Sequence, residues 1–136
     1  MHIGQRVLIT GANGGVGISI CEAFLKNNAD LVLIYHQDRD KIDELLEKNP
    51  EFVSKVEVHQ VNLLSDKKIS QKMKVVLNSK PINIFIHSVS LPLKMKGVRE
   101  LHWKDFQEHL DIQVKSFFKI VQLLIPKMKN ATGKNS

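Results

Sequence analysis

Cysteine, tryptophan and tyrosine each occur only once in this chain of 136 residues. The single cysteine, Cys21, excludes an internal disulfide framework and fits a reducing compartment. Charged residues interrupt every apolar run well before the ~18 residues of a membrane span. No basic-then-apolar leader opens the chain. These absences predict a cytoplasmic protein with no membrane segment.

Metal-ligand spacing is also missing from the sequence. The histidines form no His-x3-His pair and a lone cysteine cannot form Cys-x2-Cys, so no metal site is predicted. Cys21 has no basic neighbour in sequence and is interpreted as a core residue rather than a nucleophile. His87, at the end of a predicted strand, is interpreted as scaffold. The six histidines are His2, His36, His59, His87, His102 and His109.

Positive charge is in excess, with 20 Lys and Arg against 14 Asp and Glu. The lysines are scattered and have few aromatic residues between them, which does not favour a nucleic-acid surface. The same balance suits a ligand that carries phosphates. At 43% hydrophobic residues, the length predicts one globular domain over residues 1–129, with residues 130–136 as a frayed tail.

Strand-like and helix-like segments alternate along the chain. Apolar runs at 6–10, 31–35 and 82–86 and a weaker run at 56–61 predict four strands. Helical spacing predicts helices at 15–26, 40–48, 66–80 and from 103 to about 126, with a loop at 91–101. This alternation predicts a doubly wound, Rossmann-type α/β fold with a parallel sheet of strand order 3-2-1-4 and helices on both faces. Its ligand-binding switch point lies between strands one and four.

The apolar positions within the helices predict which faces are buried. Residues at helical spacing are assigned to the core in the first helix and the last, and the aromatic residues of the last helix are interpreted as core packing. In the first helix these residues are Val16, Ile20, Ala23 and Phe24; in the last they are Phe106, Leu110, Val114, Phe117, Phe118, Val121 and Leu124.

The densest motif is the glycine cluster between the first strand and the first helix, residues 10–17. Gly11 allows a tight exit from the strand, Gly15 lets the backbone approach a pyrophosphate, and Gly17 removes a side chain where helix and strand meet. Asn13 could bond the backbone or an adenosine ribose. The free N–H groups at the helix start favour phosphate.

The spacing Thr-Gly-x3-Gly-x-Gly resembles that of the short-chain dehydrogenase/reductase family, and the resemblance covers the whole chain. Asn62 and Leu63 stand where that family has an Asp that touches adenine. Residues 86–90 stand where it has Asn-Asn-Ala-Gly. The resemblance implies a dinucleotide site made by Gly11, Asn13, Gly14, Gly15, Val16, Gly17, His36, Arg39, Asn62, Leu63, Ser88, Val89 and Ser90.

Other positions depart from the family pattern. Gln113 stands at the position of a catalytic Asn, one carbon longer. Tyr35 is the only tyrosine and is followed by Arg39, so the chain contains no Tyr-x-x-x-Lys pair. In the family that Tyr transfers the proton, the Lys lowers its pKa, and a Ser orients the substrate. We therefore expect the dinucleotide-binding half of a reductase of carbonyls or alcohols, truncated before its fifth strand and inactive by itself.

The end of the second strand bears on the choice between NAD(H) and NADP(H). No acid stands at the position that binds the ribose hydroxyls of NAD, and His36 with Arg39 could face a 2′-phosphate. In the alternative interpretation, Arg39 begins a solvated helical turn that Asp38 caps. The residue chemistry favours NADP(H).

Two other functions remain open at this stage: a non-catalytic nucleotide-binding module or partner subunit, and a basic interaction protein that keeps only the fold. A homo-oligomer is expected in any case. The open edge of the fourth strand (Ile82, Ile84, Ile86) invites pairing, and in the resembled family part of the fourth helix packs against a sister subunit.

Overall fold

Short aliphatic runs form the strands and amphipathic segments form the helices of the computed structural model, which describes residues 4–89 and 97–132. The strands are β1 (Arg6–Thr10), β2 (Asp30–Tyr35), β3 (Val56–Gln60) and β4 (Ile84–His87). The helices are α1 (Gly15–Lys26), α2 (Asp40–Lys48), α3 (Asp66–Ser79), α4 (Trp103–Leu110) and α5 (Ser116–Thr132). Short 3₁₀ segments lie at Pro50–Lys55 and Val98–Glu100, and a π-helical segment at Asp111–Lys115 joins α4 to α5.

The four strands form one parallel sheet with the order β3-β2-β1-β4. In the central register, Leu8 lies opposite Val32 on one side and Phe85 on the other. This arrangement confirms the predicted strand order. It also brings the carboxyl ends of β1 and β4 together, with the glycine turn between them.

Helices cover both faces of the sheet because alternate strand residues point to opposite sides. One core lies between the sheet and α3 and α5, and the other lies between the sheet and α1 and α2. The first contains Leu8, Val32, Ile34, Ile69, Met73, Ile120 and Leu124. The second contains Val7, Ile9, Leu31, Leu33, Cys21, Leu25 and Ile42.

The buried face of α1 is rotated from the predicted one. Gly17, Cys21 and Leu25 are buried, whereas Val16 is 71% exposed. Ala23 is also exposed. The prediction was wrong for Val16 and Ala23, whereas Ile20 and Phe24 are partly buried and pack against the core as predicted. The difference arises because the helix packs through its smallest residue, Gly17, which carries no apolar signal. The helix ends as expected: Asn28 has φ +63°, the left-handed conformation that asparagine tolerates.

In the last helical region, from α4 to α5, the buried positions differ more strongly from the predicted ones. Its buried positions are Asp105, Ile112, Ser116, Ile120 and Leu124, spaced mostly by four residues. Most of the predicted stripe is exposed instead: Phe106, Leu110, Val114, Phe117 and Phe118. Apolar residues occupy two faces of this region, and periodicity cannot tell which of them meets the sheet. The helix also continues through Pro126 to Thr132, beyond its predicted end.

Arg6, at the start of β1, anchors the carboxyl end of α3 to the sheet. Its guanidinium is buried, donates to the carbonyls of Val76 (2.8 Å) and Lys80 (2.6 Å), and pairs with Glu57 at 3.0 Å. The cation thus satisfies carbonyls at the carboxyl end of the helix, where positive charge is favourable. Glu57 also bonds His59, and these contacts outweigh burial and lower the pKa of that carboxyl group.

Within residues 4–89 and 97–132, no helix combines the length and apolarity needed to cross a bilayer. That same part of the chain holds no cluster of three or more His, Cys, Asp or Glu side chains arranged to bind a metal ion.

Candidate functional site

The turn after β1 depends on glycine at two positions. Gly11 has φ +64°, and a Cβ there would lie 2.6 Å from the carbonyl oxygen of Ser88. A Cβ on Gly17 would overlap the carbonyl oxygen of Gly11. Both neighbours are backbone and cannot move aside as a flexible side chain can. These two glycines are therefore required for the strand, the turn and α1 to pack together.

Gly15 differs from these two because nothing lies within 4 Å of the position that its Cβ would take. Its φ is not in the left-handed region, so no feature of the described protein requires glycine there. Gly15, Val16 and Gly17 form the first turn of α1, whose N–H groups have no intrahelical acceptors. Gly15 thus stands at the start of the helix, where the free N–H donors and the positive end of the helix dipole are, and has open space beside it.

Asn13 fastens the turn to α2. Its Oδ1 accepts from the N–H groups of Lys41 (2.9 Å) and Ile42 (3.1 Å), and its Nδ2 donates to the carboxylate of Asp40 at 2.8 Å. The bond from Asn13 lowers the pKa of Asp40. In the alternative interpretation of this segment, the capping role of Asp38 is wrong, since Arg39 is the N-cap residue and Asn13 supplies the acceptor from outside the helix. The other part of that interpretation agrees with the structure, because Arg39 is exposed at the start of α2.

Strand β4 closes the other side of the turn. The hydroxyl of Ser88 donates to the carbonyl of Thr10 at 2.7 Å, and its N–H donates to the same oxygen at 3.2 Å. Ser88 thereby holds its own carbonyl against Gly11. Val89 follows it at the rim, and Ser90, which the resemblance also assigned to the site, lies outside the described residues.

His87 links β1 to the π-helical segment. Its Nε2 lies 3.2 Å from the carbonyl of Ile112, which can only accept, so Nε2 carries the proton. Nδ1 therefore accepts from the hydroxyl of Thr10 at 2.7 Å. Burial lowers the pKa of His87 below its ordinary 6.5. The hydroxyl of Ser116 also lies 3.3 Å from Nε2, so the partners of the ring are three carbonyl or hydroxyl groups of the scaffold. This agrees with the interpretation of His87 as scaffold.

A cavity of about 280 Å³ opens at the carboxyl ends of β1, β2 and β4, bounded by the glycine turn. We call it the nucleotide cavity, after the ligand that the sequence resemblance implies. Seven of the predicted site residues line it: Gly11, Asn13, Gly14, His36, Leu63, Ser88 and Val89. It also contains residues that were not predicted, namely Ile34, Tyr35, Gln37, Asp38, Val61 and Ile112. Ile34 and Val61 could have been identified because they lie at or next to the ends of predicted strands. No local signal marks Ile112, which belongs to the π-helical segment, far away in sequence.

Several predicted residues lie outside this lining. Gly15, Val16 and Gly17 form the helix start beside it, and Asn62 lines a neighbouring cavity. Arg39 is bound to Asp43, with Nε–Oδ1 at 3.0 Å, and lies over the ring of Tyr35. The Asp43 bond raises the pKa of Arg39. The guanidinium is thus already paired on the surface of α2.

Gln113 lies in the π-helical segment and is exposed, whereas its neighbour Ile112 reaches the cavity. Cys21 is fully buried among apolar side chains, and this burial raises the pKa of its thiol to about 12. A thiol in that state is not a nucleophile at neutral pH.

Comparison with protein families agrees with this geometry. The family described as short chain dehydrogenase matches residues 5–135. The chain belongs to the short-chain dehydrogenase family. The sequence-based resemblance is therefore confirmed.

Solved structures share the fold of this short-chain dehydrogenase chain. L-Sorbose reductase from Gluconobacter frateurii, solved with NADPH and L-sorbose, has a TM-score of 0.81 and 21% identity over 95% of this chain and 49% of that one. NADPH-bound carbonyl reductase from chicken fatty liver has a TM-score of 0.81 and 18% identity over 100% and 52%. A short-chain dehydrogenase/reductase from Serratia marcescens has a TM-score of 0.81 and 17% identity over 93% and 51%.

This chain therefore spans about half the length of the solved structures that it matches. At these identities the likeness shows the fold alone. No curated protein sequence matches the chain.

Proposed function

We propose that this chain binds a nicotinamide dinucleotide and forms the cofactor-binding half of a short-chain oxidoreductase. The observation that carries the proposal is Gly15. Neither the packing around this residue nor its backbone conformation requires a glycine, and the space that a Cβ would fill lies at the start of α1. A pyrophosphate in that space would accept from the first-turn N–H groups and meet the positive end of the helix dipole.

The nucleotide cavity supports a position for the adenosine. His36 lies at the end of β2, Leu63 follows β3 and Val89 follows β4, so polar and apolar groups surround one opening. Asn13 is committed to α2, which favours a role in holding the turn over a direct contact with the ribose. When bound, the cofactor would supply a hydride to a carbonyl or accept one from an alcohol.

We favour NADP(H) over NAD(H). His36 is exposed at the cavity and offers a donor to a ribose phosphate, and two structural neighbours were solved with NADPH. Arg39 adds less than the sequence suggested because Asp43 already pairs with it. Asp38 also lines the cavity and would repel a phosphate, so the expected preference is modest.

Gln113 is the one candidate catalytic residue in these 136 residues. Its place in the π-helical segment, next to the cavity-lining Ile112, supports a role for its amide near the reacting end of the cofactor. The proton-transferring Tyr and Lys would come from outside this sequence. We therefore expect no carbonyl reduction by the chain alone.

The alternative is a nucleotide-binding module without chemistry. The exposure of Gln113, which does not line the nucleotide cavity, favours it. Assay of the natural protein for NADPH oxidation with simple carbonyl compounds separates the two: turnover supports the reductase, and tight nucleotide binding without turnover supports the module.

The proposed function is tested by Gly15→Ala, with Gly97→Ala as the matched control. Both glycines have open space at the Cβ position, but only Gly15 adjoins the proposed phosphate position. We expect Gly15→Ala to weaken binding of both NADPH and NADH by about tenfold or more, since the methyl group occupies the phosphate position. Thermal unfolding should show both variants folded. Binding is measured by calorimetric titration.

Gly97→Ala should bind as the unmodified protein does. If neither dinucleotide binds the unmodified protein, or if Gly15→Ala binds both as well as Gly97→Ala does, the proposal fails.

A further inference from the structure

A second cavity, of about 500 Å³, lies beside the nucleotide cavity between the carboxyl ends of β2 and β3 and the first half of α3. We call it the α3 cavity. The two cavities share His36, Gln37 and Val61 as lining residues, so they adjoin at the end of β2. The proposed function uses no side chain of α3, and this volume has no role in it.

The α3 cavity is lined by positive charge. Lys68 and Lys72 both reach it and stand four residues apart on α3, where like charges destabilise the helix. Lys68 lies in the first turn, next to the Ser65 cap, where the helix dipole also disfavours a cation. Neither lysine therefore stabilises its own helix.

Nothing in the described part of the chain neutralises these two lysines. The lining of the α3 cavity includes no carboxylate. Asp66, the one acidic residue of α3, faces Lys115 at 3.5 Å. Among residues 4–89 and 97–132, no ion pair involves Lys68 or Lys72. The cavity thus combines two unpaired ammonium groups with the imidazole of His36.

We propose that the α3 cavity binds a phosphate monoester next to the adenosine site. Two ammonium groups match the two negative charges of such a group, and His36 and Gln71 add hydrogen-bond donors. The charges around the nucleotide cavity also favour the α3 cavity as the position of the phosphate. Asp38 lines the nucleotide cavity but not the α3 cavity and would repel a phosphate there, and Arg39 is already paired with Asp43. The inference rests on the proposed function for the adenosine next door.

The phosphate has two possible sources. It is either the 2′-phosphate on the adenosine ribose of the dinucleotide, directed past His36, or a phosphate on a separate small molecule. Both present the same dianion to Lys68 and Lys72. They differ in whether the phosphate must be joined to an adenosine, and that difference can be measured.

The test compares Lys68→Gln/Lys72→Gln with Lys67→Gln/Lys74→Gln in the full chain. The control pair lies on the same helix and removes the same charge, but neither of its residues lines the α3 cavity. Calorimetric titrations use 5′-AMP, 2′,5′-ADP and inorganic phosphate. Circular dichroism verifies that all variants are folded, which is expected because Lys68 is exposed and Lys72 half-buried.

For a ribose phosphate, the cavity variant should lose about tenfold in affinity for 2′,5′-ADP and keep its affinity for 5′-AMP. For a separate ligand, it should lose affinity for inorganic phosphate while the ratio of 2′,5′-ADP to 5′-AMP affinity stays constant. The control variant should change neither. Equal losses in the two variants, or no loss in the cavity variant, would overturn the inference.

Failure of this inference can be distinguished from failure of the proposed function. Binding of 5′-AMP that depends on Gly15 reports the nucleotide cavity whatever the lysines do. Failure of 5′-AMP to bind the unmodified protein would remove the proposed function, whereas a normal 5′-AMP response with no effect of the lysines removes only the α3 cavity.

Discussion

His87 shows how one side chain can join three parts of a fold. Its ring connects the end of β1, through Thr10, to the π-helical segment, through Ile112, while it stands on β4 itself. The ring of Phe117 lies 5.6 Å away on α5. The neutral imidazole satisfies an acceptor and a donor at once, and burial penalises its charged form.

This burial predicts acid sensitivity. Since the folded-state pKa of His87 is lowered, the unfolded chain binds the proton more readily. The stability contributed by the neutral ring is complete above pH 6.5 and is lost as the pH falls through the folded-state value. We expect the free energy of unfolding, measured in urea, to fall between pH 7 and pH 5. His87→Asn should show a smaller fall.

The comparison is with the unmodified protein, measured in the same way at each pH. An identical fall in His87→Asn and in the unmodified protein would show that His87 is not the titrating group.

At the scale of elements, the site depends on contacts between segments far apart in sequence. Asn13 bonds the start of α2, Ser88 bonds the end of β1, and Arg6 bonds the end of α3. Each of these side chains thus satisfies backbone groups at the end of an element to which it does not belong. At the rim of the nucleotide cavity, the contacts of Asn13 and Ser88 join the glycine turn to α2 and to β4.

Asn13→Ala tests one of these contacts. The variant loses the Oδ1 acceptor of two N–H groups at the start of α2, so we expect the free energy of unfolding to drop by about 1 kcal/mol, within the range ~0.5–2 kcal/mol for lost caps. Asn78→Ala, at an exposed position on α3, should change it by less than about 0.5 kcal/mol. Equal values for the two variants in urea unfolding would contradict the capping role.

The sequence could predict the elements whose pattern is local. The strand at 6–10, the Ser65 cap, the glycine turn and the bounds of α1 and α2 all follow from short-range signals, and the structure agrees with them. The π-helical segment was not predictable, because it adjusts α4 to α5 through partners such as His87 that lie far away in sequence.

The residues of the candidate site also divide into those that a local sequence pattern predicts and those that depend on contacts between distant segments. Its backbone positions follow from the glycine spacing, so Gly11 and Gly14 could be assigned directly. The partners of Asn13 and Arg39 could not, because each depends on how α2 approaches the turn. Sequence position put Arg39 near a ribose phosphate, and the structure adds the competing carboxylate of Asp43.

At the scale of the whole molecule, exposed apolar side chains lie along α4, the π-helical segment and α5. Trp103 and Phe106 stack with ring centroids 6.2 Å apart and are 70% and 58% exposed. Val114 and Phe118 are 60% and 55% exposed. A patch of this kind on a soluble chain is typical of an interface, which supports the expected homo-oligomer.

We expect Phe106→Glu to reduce self-association, since it puts a charge among these exposed apolar side chains. Val53→Glu makes the same change at a 47% exposed apolar position elsewhere and should not. Sedimentation equilibrium of the three proteins gives the association constants. Association that persists unchanged in Phe106→Glu would assign the contact to another surface, such as the edge of β4.

Three of the four glycines in the turn are under different constraints. Gly11 and Gly17 are required by the backbone around them, whereas no contact among the described residues requires Gly15. Under the proposed function, a descendant that lost its ligand would keep Gly11 and Gly17 for as long as it folded, and its residue 15 would be free to change. On that proposal, the residue at position 15 records whether a lineage still binds a nucleotide.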